Sequence, residues 1–599
     1  MKKTNIETRY YEQEVKTIDK YVEVKIGEEE AIEVNLGSIG KKLKISNNIY
    51  EPNTLMEIII TNDGLKYYIF GDKRGEVYIS RNINMLFGIK KKLGCCITKK
   101  NVCFFGIISN LKNRFTDCDN IYFNDEIVTK VIRPFNFWKF KHVGLIKISK
   151  EEVLNSLNIH NEVAIGDSKE NKISLTMKRK HRGMNYYFYK KCDKDQMIIV
   201  RSTIKGSSIR ITKIPMEREY LLKYRIKDSI ARLVSKLFIK DVILMFEKET
   251  KKADESGYYV FQKLMTNDKY RKKVYFIIDK ECKDYAKAKG SYGSNVIEKY
   301  TFRHYLYIYL STYFISSELS NHVINPRLYL SKLNHAIRSK PLIFLQHGIM
   351  FAKPVDNPAA MGFHKGLSGL NIYKSVISSD LEATQFYKMG YNDNDLIKCG
   401  LPKFDVSYSN KNSENILFMP TYRYWEEVQA QNSETIKETT YYKAYARVID
   451  EFIKIGLINN LRIAGHPKFM ESLIESMPEY KHIIETDINQ AIENARIFIT
   501  DYSSASYDAH YRGSYIIYYW EEKDYLIENY QAIPPVDETN CDGVPVYSAK
   551  QLGTEVKKAI KNDYKMEAKY TKRYKKINEF SDGKNAERLI SMLQDEGIL

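Results

Sequence analysis

From Asp241 onward, short runs of purely apolar residues alternate with longer stretches of helical periodicity. No other feature of the chain limits its possible folds as strongly. Residues 242–246, 274–278, 313–315, 342–345 and 376–377 read as strands buried on both faces, and a second set follows at 416–419, 461–464, 497–499 and 515–519. Continuous apolar runs of this length, separated by helix-length segments, are what a parallel sheet covered by helices on both faces requires. Two successive sets predict an α/β fold with two Rossmann-like domains facing a cleft. Ligands of such sheets sit beyond the C-terminal ends of the strands, so functional residues should come directly after strands.

Four strand ends carry such residues. The run 342–345 leads into Gln346-His347-Gly348, and 416–419 leads into Pro420-Thr421-Tyr422-Arg423. The run 461–464 leads into Gly465-His466-Pro467-Lys468, and 497–499 into Thr500-Asp501-Tyr502-Ser503-Ser504. The last of these reads as a strand passing through a turn into a helix capped by Ser503 or a neighbour. A helix start of that kind offers unpaired N–H groups and a positive dipole end, a site for phosphate. The competing reading is an ordinary capped helix with a Ser-rich turn. A lone His after a strand is more often structural than functional. Together, however, the four ends supply the groups needed to hold a diphosphate and move a proton.

The chain has 599 residues, too many for one core, so about three domains are expected. Residues 1–213 read as β-rich, with alternating runs at 21–26, 56–60, 66–70, 197–201 and 208–211 and turns such as Asn62-Asp63-Gly64. One or two small sandwich-like units without a catalytic constellation are expected there. In 214–240, Leu222, Ile226, Ile230, Leu233 and Leu237 recur at helical spacing, with Lys223, Arg225, Lys227, Arg232, Lys236 and Lys240 between them. A basic amphipathic helix of this kind can lie on an anionic membrane. Because most such helices turn their stripe toward their own core, it is expected to pack on the next domain.

The formal net charge of +19 calls for an acidic partner: nucleic acid, an anionic membrane or a polyanionic substrate. No nucleic-acid-binding motif accompanies it. Eight dispersed cysteines show neither zinc-type nor redox spacing and fit reduced residues of a cytoplasmic protein. Met1-Lys2-Lys3-Thr4 leads into charged residues rather than an apolar h-region, so no signal peptide is expected. The longest apolar run, 305–317, is too short to cross a bilayer, so membrane association is expected to be peripheral.

With these residues in view, the chain resembles the CDP-glycerol (or CDP-ribitol) glycerophosphotransferases, the teichoic acid primases and polymerases of Gram-positive bacteria, with relatives among capsule polymerases. The matching pieces follow the family's order over roughly residues 235–595. They begin with Gln346-His347-Gly348 and Lys353, Cys399-Gly400-Leu401-Pro402-Lys403-Phe404-Asp405, Met419-Pro420-Thr421-Tyr422-Arg423 and His466-Pro467. Thr500-Asp501-Tyr502-Ser503-Ser504 with Asp508, Asp524-Tyr525 and Asp582-Gly583-Lys584-Asn585-Ala586-Glu587-Arg588 complete the set. Gln346 stands where the family usually has Trp, and Lys523 interrupts the acidic pair expected near Glu521 and Asp524.

The resemblance implies a GT-B fold, with an acceptor-side domain at 241–405 and a donor-side domain at 406–599. It further implies transfer of an alditol phosphate from a CDP-alditol to a hydroxyl of a lipid-linked acceptor, releasing CMP. On this basis His347 is the expected general base, and His466 holds the diphosphate or protonates the departing CMP. Lys353, Thr421, Arg423, Thr500, Asp501, Ser503, Ser504, Asp508 and Asp524 are the expected donor-binding residues. No Asp-rich metal motif stands out at the strand ends that would hold the diphosphate, and no metal or other cofactor is expected. The partners implied are CDP-glycerol or CDP-ribitol, a polyanionic lipid-linked acceptor and the anionic inner membrane surface. A GT-B nucleotide-sugar glycosyltransferase would need the same diphosphate cradle and is the alternative reading.

Overall fold

The computed structural model describes residues 6–14, 18–39, 42–52, 54–62, 65–72, 74–81, 93–108, 111–113, 117–118, 120–134, 143–156, 160–166, 172–175, 187–191, 195–202, 209–357, 360, 362–366, 369–407, 409, 411–466 and 468–599. The expected turn at Asp63-Gly64, together with Ser208, Pro467, Cys192 and the side chain of Cys118, lies outside the described residues. The chain forms two compact units, Met1–Met216 and Glu217–Leu599.

Among the described residues the first unit holds four β-sheets, in which every strand pairing but one is antiparallel. Its strands follow the two-residue period of the sequence. In Ile18–Ile26, for example, Val22, Val24 and Ile26 are buried while Lys25 between them is exposed. The pattern builds two apolar clusters, one around Phe70, Phe104, Ile146 and Ile198, the other around Val22, Tyr67, Ile69 and Ile79.

The second unit opens with helix α1 (Leu222–Val234) and contains two parallel sheets. The strands of the first sheet are β1 (Val242–Phe246), β2 (Val274–Ile278), β3 (Val296–Glu298), β4 (Ser311–Ser316), β5 (Leu342–Phe344), β6 (Ile372–Ile377) and β7 (Leu396–Lys398), lying in the order β3-β2-β1-β4-β5-β6-β7. The second sheet consists of β8 (Asn415–Phe418), β9 (Leu461–Ile463), β10 (Ala495–Thr500), β11 (Tyr515–Tyr519) and β12 (Val544–Val546), in the order β9-β8-β10-β11-β12. Both sheets are parallel throughout and doubly wound. The central strands β1, β2, β8 and β11 coincide with or lie within one residue of the apolar runs read from the sequence. Strands β3, β7 and β12 were not expected; each has only two apolar residues, the third being Glu298, Lys398 or Pro545, so no apolar run stands out. Strand order reverses between β1 and β4 in the first sheet and between β8 and β10 in the second. Each reversal opens a crevice at the C-terminal strand edge.

The chain ends with helix Asn585–Asp595, which returns to the first sheet's domain. Asp405 caps this helix, accepting from the N–H groups of Asn585 at 2.8 Å and Ala586 at 2.7 Å. Gly400 has φ +78°, and a Cβ there would meet the Asn585 amide at 2.7 Å. The Cys-Gly-Leu-Pro segment and the terminal Asp-Gly segment thus meet, with the Gly400 main chain against the Asn585 side chain, whose amide also donates to the Leu401 carbonyl.

Helix α1 departs from expectation. Its polar side faces the domain: Lys227 donates to the Tyr300 carbonyl at 3.2 Å, Asp228 accepts from Tyr309, and Tyr224 lies 5.3 Å from Tyr300 between ring centres. The apolar stripe faces outward, with Leu222 72% exposed, Leu233 61% and Leu237 79%. The domain surface beneath α1 offers tyrosine hydroxyls and main-chain carbonyls, and these bind the helix's polar side. Among the described residues no helix is long and apolar enough to cross a membrane.

Candidate active site

The second sheet contributes two loops at its reversal point, and Asp501 ties them together. Its Oδ1 accepts from the N–H and hydroxyl of Thr421 and from the Tyr502 N–H at 2.6 Å. Thr500 is fully buried and donates its hydroxyl to the Met419 carbonyl at 2.7 Å. Asp501 and Thr500 therefore shape the loops from within. Helix α2 (Ala505–Tyr511) follows with Ser504 at its cap position. Ser503 Oγ accepts the Ala505 N–H at 3.3 Å, while the Ser504 hydroxyl makes no hydrogen bond among the described residues. Ser503 thus performs the local capping and Ser504 is the uncommitted donor.

Arg423 and Asp524, both expected to ligate the donor, are placed elsewhere. Arg423 is 1% exposed, and its guanidinium meets Glu522 at 2.7 Å and Thr440. Glu522 also pairs with Arg447 at 2.6 Å. Burial among carboxylates commits Arg423 to holding the loop after β8. Asp524 is exposed on helix Lys523–Tyr530 and makes no ion pair or hydrogen bond among the described residues.

The first sheet contributes the loop after β5. Gln346 has φ +59°, a conformation disfavoured for a side chain with a Cβ. Its Nε2 is held by the Val376 carbonyl and by Glu382 Oε1 at 3.1 Å. Glu382 also accepts the N–H groups of Met350 and Ser378, each at 2.7 Å. This anchored turn presents His347. The His347 ring donates to the Ser317 carbonyl and keeps part of its surface open to solvent. Desolvation by the surrounding cleft, with the charges of Lys353 and Lys403, lowers its pKa well below the ordinary range. The imidazole is therefore neutral at pH 7.

His466 sits across the cleft, stacked on Tyr422 with ring centres 4.3 Å apart. Burial, then the charge of Lys468, pushes its pKa down to about 4. The charge of Lys353 acts on both His347 and His466. Burial lowers the pKa of Lys353 itself.

The two halves meet at Gly348. A Cβ placed there would lie 3.6 Å from the Ser504 hydroxyl and 3.8 Å from the Asp508 carboxylate. Lys403 spans the same junction, pairing with Asp508 and donating to the His347 carbonyl at 2.6 Å. Burial raises the Asp508 pKa, and Lys403 opposes the rise. Beside this junction lies a cavity of about 270 Å³ lined by residues of both domains, among them Tyr259, Lys403, Asn489, Gln490 and Asp508. The structure thus brings together His347, His466, Lys353, Ser503, Ser504 and Asp508. Lys403 was overlooked as a site residue because it follows the unrecognised strand β7; its place after a strand end would have pointed to it. Among the described residues, no group of three or more His, Cys, Asp or Glu side chains is arranged to hold a metal ion.

A family model described as CDP-glycerol:poly(glycerophosphate) glycerophosphotransferase matches residues 229–594. The minor teichoic acid biosynthesis protein GgaB of Bacillus subtilis (strain 168) is 26% identical over 395 residues, which make up 63% of this chain and 42% of GgaB. The chain therefore spans less than half the length of that relative. Among solved structures, the wall teichoic acid polymerase TagF aligns with 62% of this chain and 94% of its own at 13% identity and a TM-score of 0.43. The UDP complex of S. aureus MnaA aligns with 60% of this chain and 98% of its own at 11% identity and a TM-score of 0.36.

Proposed function

This chain belongs to the CDP-glycerol:poly(glycerophosphate) glycerophosphotransferase family, and on that premise we propose that it transfers glycerol phosphate or ribitol phosphate from a CDP-alditol to a hydroxyl of a lipid-linked teichoic acid or capsule acceptor. The observation that carries the reading is the junction at Gly348, where a solvent-accessible His stands over an uncommitted Ser hydroxyl and a buried Asp–Lys pair.

The diphosphate lies at Ser503 and Ser504, with Lys353 offsetting its charge. Asp508 accepts from the ribose hydroxyls, and the nucleoside occupies the cavity beside it, where Asn489 and Gln490 can pair with a base edge and Tyr259 supplies an aromatic face. The acceptor oxygen attacks the phosphorus bearing the alditol, forming a P–O bond as the bond to the bridging oxygen breaks. CMP departs with that electron pair, and the acceptor proton passes to His347. Phosphoryl transfer of this kind rests on positioning and charge stabilisation. Burial is the largest cause of the lowered basicity of His347, and the charges of Lys353 and Lys403 add to it; a bound diphosphate offsets the lysine part. His466 holds the leaving phosphate.

The outward stripe of α1 and its flanking lysines and arginines supply a peripheral contact with an anionic inner membrane surface, where a lipid-linked acceptor resides. The deciding experiment supplies CDP-glycerol or CDP-ribitol with a membrane extract and measures CMP. Release with one of them supports the reading and names the alditol. No release with either, but release of a nucleoside diphosphate from a nucleotide sugar, replaces it with glycosyl transfer.

A further inference from the structure

Glu382 is a buried carboxylate that the mechanism above leaves without a task. It stands in the first turn of helix Asp380–Lys388 and is fully buried. Among the described residues it makes no ion pair. A buried carboxylate without a cation is costly unless hydrogen bonds replace its lost water. Its Oε1 accepts from Gln346 Nε2 at 3.1 Å and from the Met350 N–H at 2.7 Å, and its Oε2 accepts the Ser378 N–H at 2.7 Å.

The two Oε1 donors bracket the loop that carries the chemistry. Gln346 directly precedes His347. Met350 opens the turn Met350–Ala352, which closes as the Lys353 N–H donates to the Met350 carbonyl at 3.0 Å. Gly348, at the junction of the two domains, lies between them. The loop is also strained. Gln346 has φ +59°, which a residue with a Cβ keeps only where its surroundings hold it. Loss of the Oε1 acceptor would free both ends of the loop at once, and with them His347 and Lys353.

All three partners are donors, so Glu382 serves as the ionised form; a proton on the carboxyl would put a donor among donors. Burial pushes its pKa up to about 7, against the pull of the three hydrogen bonds. The titratable groups on the elements around it are His347 and Lys353 on the loop, Asp380 on its own helix, Glu579 beyond Ser378 and Tyr507 on α2. No cation among them offsets its charge, and Tyr507 is held neutral by burial and by that charge.

We propose that Glu382 is a positioning residue for the transfer: with Gln346 it holds both ends of the loop 346–353 and so fixes His347 and Lys353 relative to one another. It touches neither the substrate nor the reacting atoms. The assignment rests on the phosphotransferase reading.

The test follows CMP release from whichever of CDP-glycerol and CDP-ribitol the wild type consumes, with a membrane extract as acceptor, from about pH 5.5 to about 8.5. Donor affinity is measured in parallel by calorimetry. Wild-type kcat should fall as pH drops through about 7, where Glu382 takes up a proton. Glu382→Gln should lower kcat at least about tenfold, the scale of one hydrogen bond to a charged group. It should lose the acid limb and change donor affinity less than kcat. Gln346→Gly accepts the left-handed turn but lacks the side-chain anchor, so it should lower kcat and keep the limb. A residue that served folding alone would lower the melting temperature of Glu382→Gln and leave the kcat and the limb of the folded variant in place. That outcome, or a wild type without the limb, removes the assignment and leaves the phosphotransferase reading standing. The wild-type profile and Gln346→Gly decide even where Glu382→Gln does not fold. A wild type that consumes neither donor overturns the underlying reading, and the role of Glu382 with it.

Discussion

Lys403 holds the Asp508 carboxylate and the His347 main-chain carbonyl with a single ammonium group. It follows the last strand of the first sheet, while Asp508 lies on the helix after the third strand of the second sheet's chain order. The pair is therefore both a clasp between domains and a wall of the cavity beside Gly348. Asp508 is 6% exposed, so removing its partner leaves a buried charge. Lys403→Met should lower stability by about 3 kcal/mol, and adding Asp508→Asn should restore much of the loss. Denaturant midpoints of the wild type and the two variants check this, and equal losses in the single and double variants would refute it.

His347→Ala should abolish turnover and leave CDP-glycerol affinity largely intact, because the base contributes to proton transfer rather than to ground-state binding. Calorimetry beside a CMP-release assay separates the two. Loss of donor binding would instead make His347 a phosphate ligand.

The two serines should differ. The Ser504 hydroxyl is uncommitted, whereas that of Ser503 accepts the Ala505 N–H. Ser504→Ala should weaken donor affinity by about tenfold, the value of one hydrogen bond to a charged group. Ser503→Ala should lose stability as well as affinity, since a cap is removed with it. Unchanged donor affinity in the double variant would show that the diphosphate lies elsewhere.

Helix α1 should bind vesicles through its stripe. Leu222→Glu with Leu233→Glu should abolish sedimentation with vesicles containing phosphatidylserine and leave the melting temperature unchanged, because both side chains are exposed. Binding should weaken as salt rises, through screening of the flanking cations. Variants that still sediment would put the contact on another surface.

One histidine reports on pH. Burial lowers the His304 pKa to about 3, and its Nδ1 accepts the Tyr300 N–H at 3.0 Å. In the unfolded chain the pKa is near 6.5. The folded value is the lower one, so the unfolded state binds more protons below pH 6.5 and stability is lost as pH falls from there toward 3. At pH 5 the wild type should have lost about 2 kcal/mol relative to His304→Gln that is not lost at pH 7.5. Parallel denaturant curves for the two proteins would exclude this linkage.

The parts of the fold legible in the sequence are those fixed by local pattern. Strands β1, β2 and β11 are apolar along their whole length because both faces are covered, and a run of that kind has no other stable placement in water. The four strand ends bearing His347, Thr421, His466 and Ser503 could be found because a parallel sheet puts its functional loops directly after strands. Strand β7, with two apolar residues followed by Lys398, leaves no such pattern, and Lys403 was overlooked for that reason.

By itself the sequence determined two doubly wound sheets, a β-rich region before them and the strand ends from which the candidate residues come, since these depend on which side chains lie next to one another along the chain. Tertiary structure decided which of those residues face the cleft. Arg423 was drawn inward by Glu522, Asp524 was left on the surface, and Lys403 was brought to Asp508. It also decided that α1 turns its polar side inward, because the surface beneath it offers hydroxyl and carbonyl groups. Each of these outcomes depends on a partner distant in the chain, and the burial that sets an ion pair's worth arises only when the two surfaces meet.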